Sequence, residues 1–146
     1  MQVLIRKILN KEDERVVIEC VEMTKEFEDI KDYALTKGSV ITGYIQDVAF
    51  QLNLYDVLYF EAVGEQVFAY TADELYSIKM RLYEVEALYQ KLKFARCSKS
   101  FIINLTQIDS FRPALDSRLY AKMKNGEEII VSRMYAKELK KKILEG

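Results

Sequence analysis

The chain has 146 residues, half of them hydrophobic and 31% charged, the make-up of one soluble domain, alone or with a modest N-terminal extension; disorder and collagen-like structure are excluded. Histidine is absent, glycine numbers only five, and neither GxGxxG nor GxxxxGK(S/T) occurs, which removes Ser-His-Asp triads, Cys-His dyads, histidine metal sites and the standard phosphate cradles. The formal net charge of −1 selects no partner by itself, and the whole favours a binding protein over an enzyme, with no cofactor or metal expected.

Residues 2–9 alternate loosely, residues 10–14 read as a polar turn, and residues 15–21 are rich in β-branched side chains, so two strands joined by a turn are expected. Thr24 opens a helical pattern with Phe27, Ile30 and Ala34 on one face. Glu26, Glu28 and Asp29 fall in its first turns and read as a solvated face; Lys37 falls in its last turn and Gly38 just beyond, the charge order a helix dipole prefers with a glycine stop. From Ser39 the texture changes to short β-type runs at residues 40–45, 48–52, 57–62 and 67–70, with turns at Gly64 and at Thr71-Ala72-Asp73. Residues 81–92 form an amphipathic helix with Leu82, Val85, Leu88 or Tyr89, and Leu92 aligned; periodicity alone lets it begin as early as Glu74, because Leu75 and Ile78 fall in phase. Short strands follow at residues 101–103, 107–111, 118–123 and 128–131, with a hairpin turn at Asn125-Gly126. Ser132 caps a last helix that ends in Lys140-Lys141-Lys142. Ile102, Ile103, Leu105, Ile108 and Val131 are assigned to the core.

The charge is unevenly divided. Residues 1–90 carry 9 Lys/Arg against 17 Asp/Glu, whereas residues 91–146 carry 13 against 6. The split fits a C-terminal part that faces a polyanion; it also fits a solvated basic face with a Lys-rich last helical turn. Cys20 and Cys97 are too few and too far apart for a disulfide framework or a zinc knuckle, and Cys97 reads as buried and inert, the alternative being a thiol whose oxidation weakens binding by the neighbouring loop. No apolar run approaches the ~20 residues of a transmembrane helix, and the first residues lack the pattern of a signal peptide, so a cytoplasmic location is expected.

Two stretches are distinctive: Phe94-Ala95-Arg96-Cys97-Ser98-Lys99-Ser100-Phe101-Ile102-Ile103-Asn104-Leu105 with Ile108, and Asn125-Gly126-Glu127-Glu128-Ile129-Ile130-Val131-Ser132-Arg133-Met134-Tyr135 followed by Leu139-Lys140. They resemble the two hallmark stretches of the LytTR DNA-binding domain, the output module of LytR/AlgR-type bacterial transcription regulators. Leu58-Tyr59-Phe60-Glu61-Ala62 with Gly64, Thr71 and Tyr76, and the helix before Phe94, extend the similarity from about Ile41 to Leu144. The resemblance implies a mainly β (α+β) fold of small antiparallel sheets with a short central helix and a C-terminal helix. It makes residues 74–79 a strand and starts the helix near Arg81. It also divides the chain into a β-β-α extension at 1–38 and a LytTR-type domain at 39–146. Members of the family insert loops and a helix N-terminus into successive major grooves on one side of the duplex.

Arg96, Ser98, Lys99 and Ser100 place two cations and two hydroxyls in one loop just before an apolar strand. Arg and Lys donate to guanine O6/N7 and Ser suits phosphate oxygens. The resemblance puts Lys99 where a base-reading side chain is expected; the plainer alternative is a polar turn with Arg96 in a surface ion pair. Ser132 and Arg133 open the last helix, where free backbone N–H groups, a hydroxyl and a guanidinium suit phosphate. Relatives often carry a second basic side chain where this chain has Met134, which leaves apolar contact with a thymine methyl. In the turn Val63-Gly64-Glu65-Gln66, Gln66 suits adenine, and Glu65 repels phosphate unless it accepts from a cytosine amino group. Arg112, Arg118, Lys122, Lys124 and Lys137 are candidate phosphate contacts.

Many LytTR proteins carry a phosphoacceptor receiver, a domain of about 120 residues. Here residues 1–40 precede the similarity and lack its Asp-bearing parallel-strand pattern, so the chain resembles the stand-alone regulators. The expected partners are double-stranded DNA with promoter half-sites, a second copy of the chain, and a small membrane protein encoded nearby. Residues 1–38 are assigned to dimerisation or partner docking. The rival reading is a protein-interaction module or anti-activator whose LytTR-like fold no longer binds DNA. DNA binding predicts that Lys99, Arg133 and Lys122 share one face, and a scattered placement would favour the rival.

Overall fold

A computed structural model describes residues 1–36 and 39–145. Among them are three α-helices, α1 (Lys25–Thr36), α2 (Leu82–Tyr89) and α3 (Arg133–Glu145). Strands β1 (Val40–Ile45), β2 (Val48–Asn53), β3 (Tyr59–Val63), β4 (Gln66–Tyr70), β5 (Leu75–Ile78), β6 (Phe94–Arg96) and β7 (Phe101–Asn104) form one antiparallel sheet in the order β2-β1-β5-β4-β3-β7-β6. Strands β8 (Ile108–Pro113), β9 (Leu119–Met123) and β10 (Glu128–Val131) form a second in the order β10-β9-β8. The mainly β architecture with a short central helix and a C-terminal helix is therefore as expected, although seven of the strands join into one sheet.

Neighbouring residues of a strand point to opposite faces. Tyr59 and Phe60, Phe94 and Ala95, and Ile102 and Ile103 are all buried, so β3, β6 and β7 are covered on both sides. On one side Phe60, Phe94 and Ile102 pack with Val67, Ala69 and the α2 residues Leu82 and Val85. On the other, Tyr59, Ala95 and Ile103 pack with Leu119, Ala121 and Met123 of β9, Val131 of β10 and Leu139 of α3. Burial of each large apolar side chain contributes about 1.5–3 kcal/mol. This three-layered part, α2 over sheet over the second sheet with α3, is the rigid base from which the loops project.

Local signals resolve as the chain pattern demands. Residues 75–78 are a strand paired with β4, Tyr70 opposite Leu75, and α2 begins only at Leu82, where Glu84 accepts the Arg81 backbone N–H at 2.9 Å. Asn125-Gly126 makes the β9–β10 turn with Gly126 at φ 94°. The three-residue strand β6 falls inside a stretch without an alternating pattern of its own; it exists because β7 supplies its ladder.

The N-terminal strands expected at residues 2–9 and 15–21 do not form. Both runs are irregular and unpaired, and the turn between them is a 3-10 turn (Lys11–Asp13) that closes only on itself, Asp13 donating to the Asn10 carbonyl and Glu14 to the Lys11 carbonyl, each at 3.1 Å. β-branched composition gives propensity, yet a ladder needs a partner strand. The helix α1 does form, but it docks through its charged side. Asp32 is buried with Oδ1 2.9 Å from Lys93 Nζ, an ion pair and not an aligned hydrogen bond. Glu28 lies 2.8 Å from Lys31 and 3.8 Å from Lys93, and Asp29 lies 3.9 Å from Lys124. The Tyr33 ring meets Tyr55 edge-on at 5.2 Å between centroids. The hydrogen bond from Lys31 holds the Glu28 carboxyl below its ordinary value. Glu28 and Asp29 are thus part of the docking face rather than a solvated one, and Ile30 and Leu35 point to solvent. The expected helix end at Lys37 and Gly38 lies outside the described residues.

Candidate nucleic-acid interface

The tip of the β6–β7 hairpin, residues 97–100, stands on the most buried part of the sheet. Cys97 N–H donates to the Phe101 carbonyl at 3.0 Å, and Ser100 N–H donates to Ser98 Oγ at 3.2 Å, so the tip is held by its own bonds. Arg96 is drawn inward: Nη1 donates to the Lys99 carbonyl at 2.7 Å and Nη2 lies 3.4 Å from Glu86 Oε1 of α2. Its side chain is only 16% exposed, so the guanidinium clamps the loop while Lys99 is left exposed at the tip. Cys97 is fully buried, with Sγ 3.7 Å from the Phe101 carbonyl, and burial pushes its thiol up to about 12.

Two backbone bonds tie this loop to its neighbours. Ser132 N–H donates to the Cys97 carbonyl at 2.9 Å, which sets the start of α3 beside the tip. The Ser132 carbonyl in turn accepts from Tyr135 and Ala136, the first bonds of the helix. Ala62 N–H donates to the Ser100 carbonyl at 2.8 Å and continues the β3–β7 ladder to the tip, which brings the Gly64-Glu65 turn alongside. Gly64 takes φ 61°, the left-handed conformation the turn needs. Ser98, Lys99, Ser100, Ser132, Arg133 and Met134 line one concavity of about 500 Å³. Among the described residues, Lys99 Nζ, Ser132 Oγ and the Arg133 guanidinium have no protein partner, and Met134 is 73% exposed. Two cations, hydroxyls and the free N–H groups of a helix start therefore converge on one open, desolvation-ready surface suited to a phosphate backbone and base edges.

Residues 47–144 match the family model of the LytTr DNA-binding domain, more than half of the chain. The chain belongs to the LytTR family. A solved structure of a LytTr DNA-binding domain from a Bacillus cereus response regulator is similar at a TM-score of 0.68 and 31% identity, covering 74% of this chain and 98% of that one. A Staphylococcus aureus protein named an uncharacterized HTH-type transcriptional regulator is 29% identical over 109 residues, 75% of this chain and 74% of its own length. The sensory transduction protein LytT of Bacillus anthracis is 32% identical over 112 residues, 72% of this chain and 46% of its own length, so the match spans under half of that relative. The LytTR domain of this chain contains no helix-turn-helix among its described residues, since β6 to β10 separate α2 from α3.

The remaining candidates are spread over this LytTR domain. Gln66 is exposed at the start of β4, beside the Gly64-Glu65 turn. Lys137 is exposed one turn after Arg133 on α3. Arg118 precedes β9 at the end where Leu119 pairs with Val131, hence at the same end as Ser132, and lies 3.4 Å from Asp116. Lys122 sits farther along β9, exposed and opposite Glu128. Arg112 stacks over the Tyr120 ring at 4.2 Å and pairs with Glu128 at 3.3 Å. Lys124 lies at the opposite end of the β9–β10 hairpin from Ser132, paired with Asp29, which makes it an anchor for α1. Lys99 and Arg133 thus share one concavity, whereas Lys122 lies outside its lining. One basic residue escapes sequence reasoning: Arg81, exposed before α2, lines a second concavity of about 410 Å³ with Gly64, Glu65 and Arg96. Its only signal is long-range, the β3–β4 turn folding back onto the start of α2.

Proposed function

We propose that this chain is a sequence-specific transcriptional regulator whose β6–β7 tip and α3 N-terminus enter successive major grooves on one side of the duplex. The observation that carries the reading is the convergence of Lys99 and Arg133, distant in sequence, on one concavity with no protein partner for either. Lys99 reads a guanine edge, Met134 contacts a thymine methyl, and Gln66 pairs with adenine where the Gly64 turn meets the groove. Arg133, Ser98, Ser100 and Ser132 hold phosphate oxygens, with Arg81, Arg118, Lys122 and Lys137 along the flanking backbone. Arg96 serves the interface by positioning the loop. Two copies occupy half-sites about one helical turn apart, in the cytoplasm. Residues 1–36 hold an irregular arm with one 3-10 turn and a helix, and no parallel sheet, so their signal is assigned to docking, of a second copy or a small membrane protein, rather than to a receiver in this stretch.

Hydroxyl-radical footprinting on the DNA upstream of the coding region is the direct test. Protected patches confined to one side of the helix and repeated about one turn apart are expected; protection spread evenly around the duplex would defeat the groove assignment. For Arg96→Ala, an affinity loss of about tenfold is expected, with the salt slope unchanged because the guanidinium releases no counterion. Arg96→Lys should not rescue it, since an ammonium lacks the fork that spans the Lys99 carbonyl and Glu86. A fall in salt slope would instead mean that Arg96 touches phosphate.

A further inference from the structure

Residues 2–21 expose an apolar, strand-capable chain that has no partner in its own copy. Leu4, Ile5 and Leu9 are 84%, 84% and 100% exposed, and Val16 and Val17 67% and 65%. A strand-capable segment with free N–H and C=O groups is a template for pairing with another strand. Period-two alternation puts Val16, Ile18 and Cys20 on one wholly apolar face of the second run, and Val3, Ile5 and Leu9 on one face of the first, which they share with Lys7. Helix α1 matches this with an outward stripe: Phe27, Ile30 and Ala34 follow helical spacing on the side away from its ion pairs.

The charges say what covers these faces. Residues 1–11 contain Arg6, Lys7 and Lys11 and no carboxylate, while residues 12–26, ahead of the carboxylates that dock α1, contain six carboxylates against two bases. The two stretches are complementary, yet within one copy no backbone bond joins the runs among the described residues, and the 3-10 turn between them closes only on itself. The same complementarity is satisfied twice by a two-fold, where each basic run meets the acidic stretch of the other copy. The twenty residues of the arm with Phe27, Ile30 and Ala34 of α1 come to about 23, within the 20–30 or so residues a side that a standard interface uses.

We propose that the arm 2–21 and the outward face of α1 form the interface between two copies of this chain, the basic run of each pairing with the acidic stretch of the other. The two copies build an antiparallel sheet from their arms, with the α1 stripes packed on its apolar face. This deepens the reading of a regulator that binds as two copies, and the test omits DNA so that the two can fail separately.

Sedimentation velocity on the full chain at micromolar concentration is expected to give twice the protomer mass. Val17→Pro removes a central donor that the protomer fold does not use, and should weaken association at least about tenfold with the far-ultraviolet spectrum unchanged. Labelling of Cys20 should be slow in the wild type and fast in Val17→Pro. Arg6→Glu with Lys7→Glu should dissociate the pair, and adding Glu19→Lys and Glu22→Lys to the same chain should restore it. A wild type that stays monomeric, a dimer indifferent to these substitutions, or a reversed pair left unrestored by the compensating pair would each overturn the proposal. A monomer that still protects a single half-site would leave the DNA-binding reading standing.

Discussion

Lys99→Ala and Arg133→Ala are each expected to cost about 1–3 kcal/mol of operator binding, a loss of roughly tenfold to a hundredfold or more, while leaving the fold intact. Both side chains are exposed and have no protein partner, so their removal breaks nothing internal; surface changes of this kind shift stability by about 0.5 kcal/mol or less. The two variants should differ in character. Arg133, at a helix start suited to phosphate, should lower affinity for all sequences and reduce the salt slope by about one. Lys99, at the hairpin tip, should also relax the preference at one base position. Because the two line the same concavity, the double variant need not show the sum of the single losses. Fluorescence anisotropy with operator and scrambled duplexes, paired with thermal melts, measures both quantities. A soluble variant that binds as tightly as the wild type would remove that residue from the interface.

Asn104→Ala should be strongly destabilising for a polar substitution, at about 2–4 kcal/mol. Asn104 is 1% exposed at the end of β7. Its Nδ2 donates to the Val57 carbonyl at 2.7 Å, with the Tyr55 carbonyl at 3.4 Å. Its Oδ1 accepts from Thr106 N–H at 3.0 Å and from Thr106 Oγ1 at 2.7 Å. One amide therefore serves the bend after β2 and the bend after β7, both buried against the core, and alanine leaves donors and acceptors of both bends without partners. Chemical denaturation should show a lower midpoint with little change in slope. Asn104→Asp should not recover the loss, because a carboxylate cannot donate to the Val57 carbonyl. A melting temperature within a degree or two of wild type would mean that water replaces the amide at both bends.

The legible parts of this chain are those where local pattern and long-range packing agree. The doublet Ile102-Ile103 reads as a strand buried on both faces, and it is; Asn125-Gly126 reads as a hairpin, and the left-handed Gly126 makes one. Residues 74–79 carry helical periodicity, yet Leu75–Ile78 form β5 because β4 offers its edge to Leu75 and its neighbours, a pairing that periodicity cannot report. The arm fails for the converse reason: residues 15–21 have strand propensity without a strand beside them. On α1 the apolar spacing of Phe27, Ile30 and Ala34 pointed one way, and the ion pairs of Asp32 with Lys93 and Asp29 with Lys124 turned the helix the other. Of the candidate site, the segments at Lys99 and Arg133 stand out by their chemistry and by the resemblance, and the fold brings them to one concavity. That Arg96 faces inward depends on Glu86 and the Lys99 carbonyl being within reach, which only the folded hairpin decides.

The central claim is that the Lys99–Arg133 concavity engages a specific duplex. Its most direct test is titration of the purified chain onto a fluorescent fragment of its own upstream region, across a range of salt and against a scrambled competitor. The account predicts tight, competitor-resistant binding whose logarithm falls linearly with the logarithm of salt, with a slope near −0.9 for each phosphate engaged. A folded sample that fails to bind at low salt, or that the scrambled duplex displaces as readily as the true one, would contradict it.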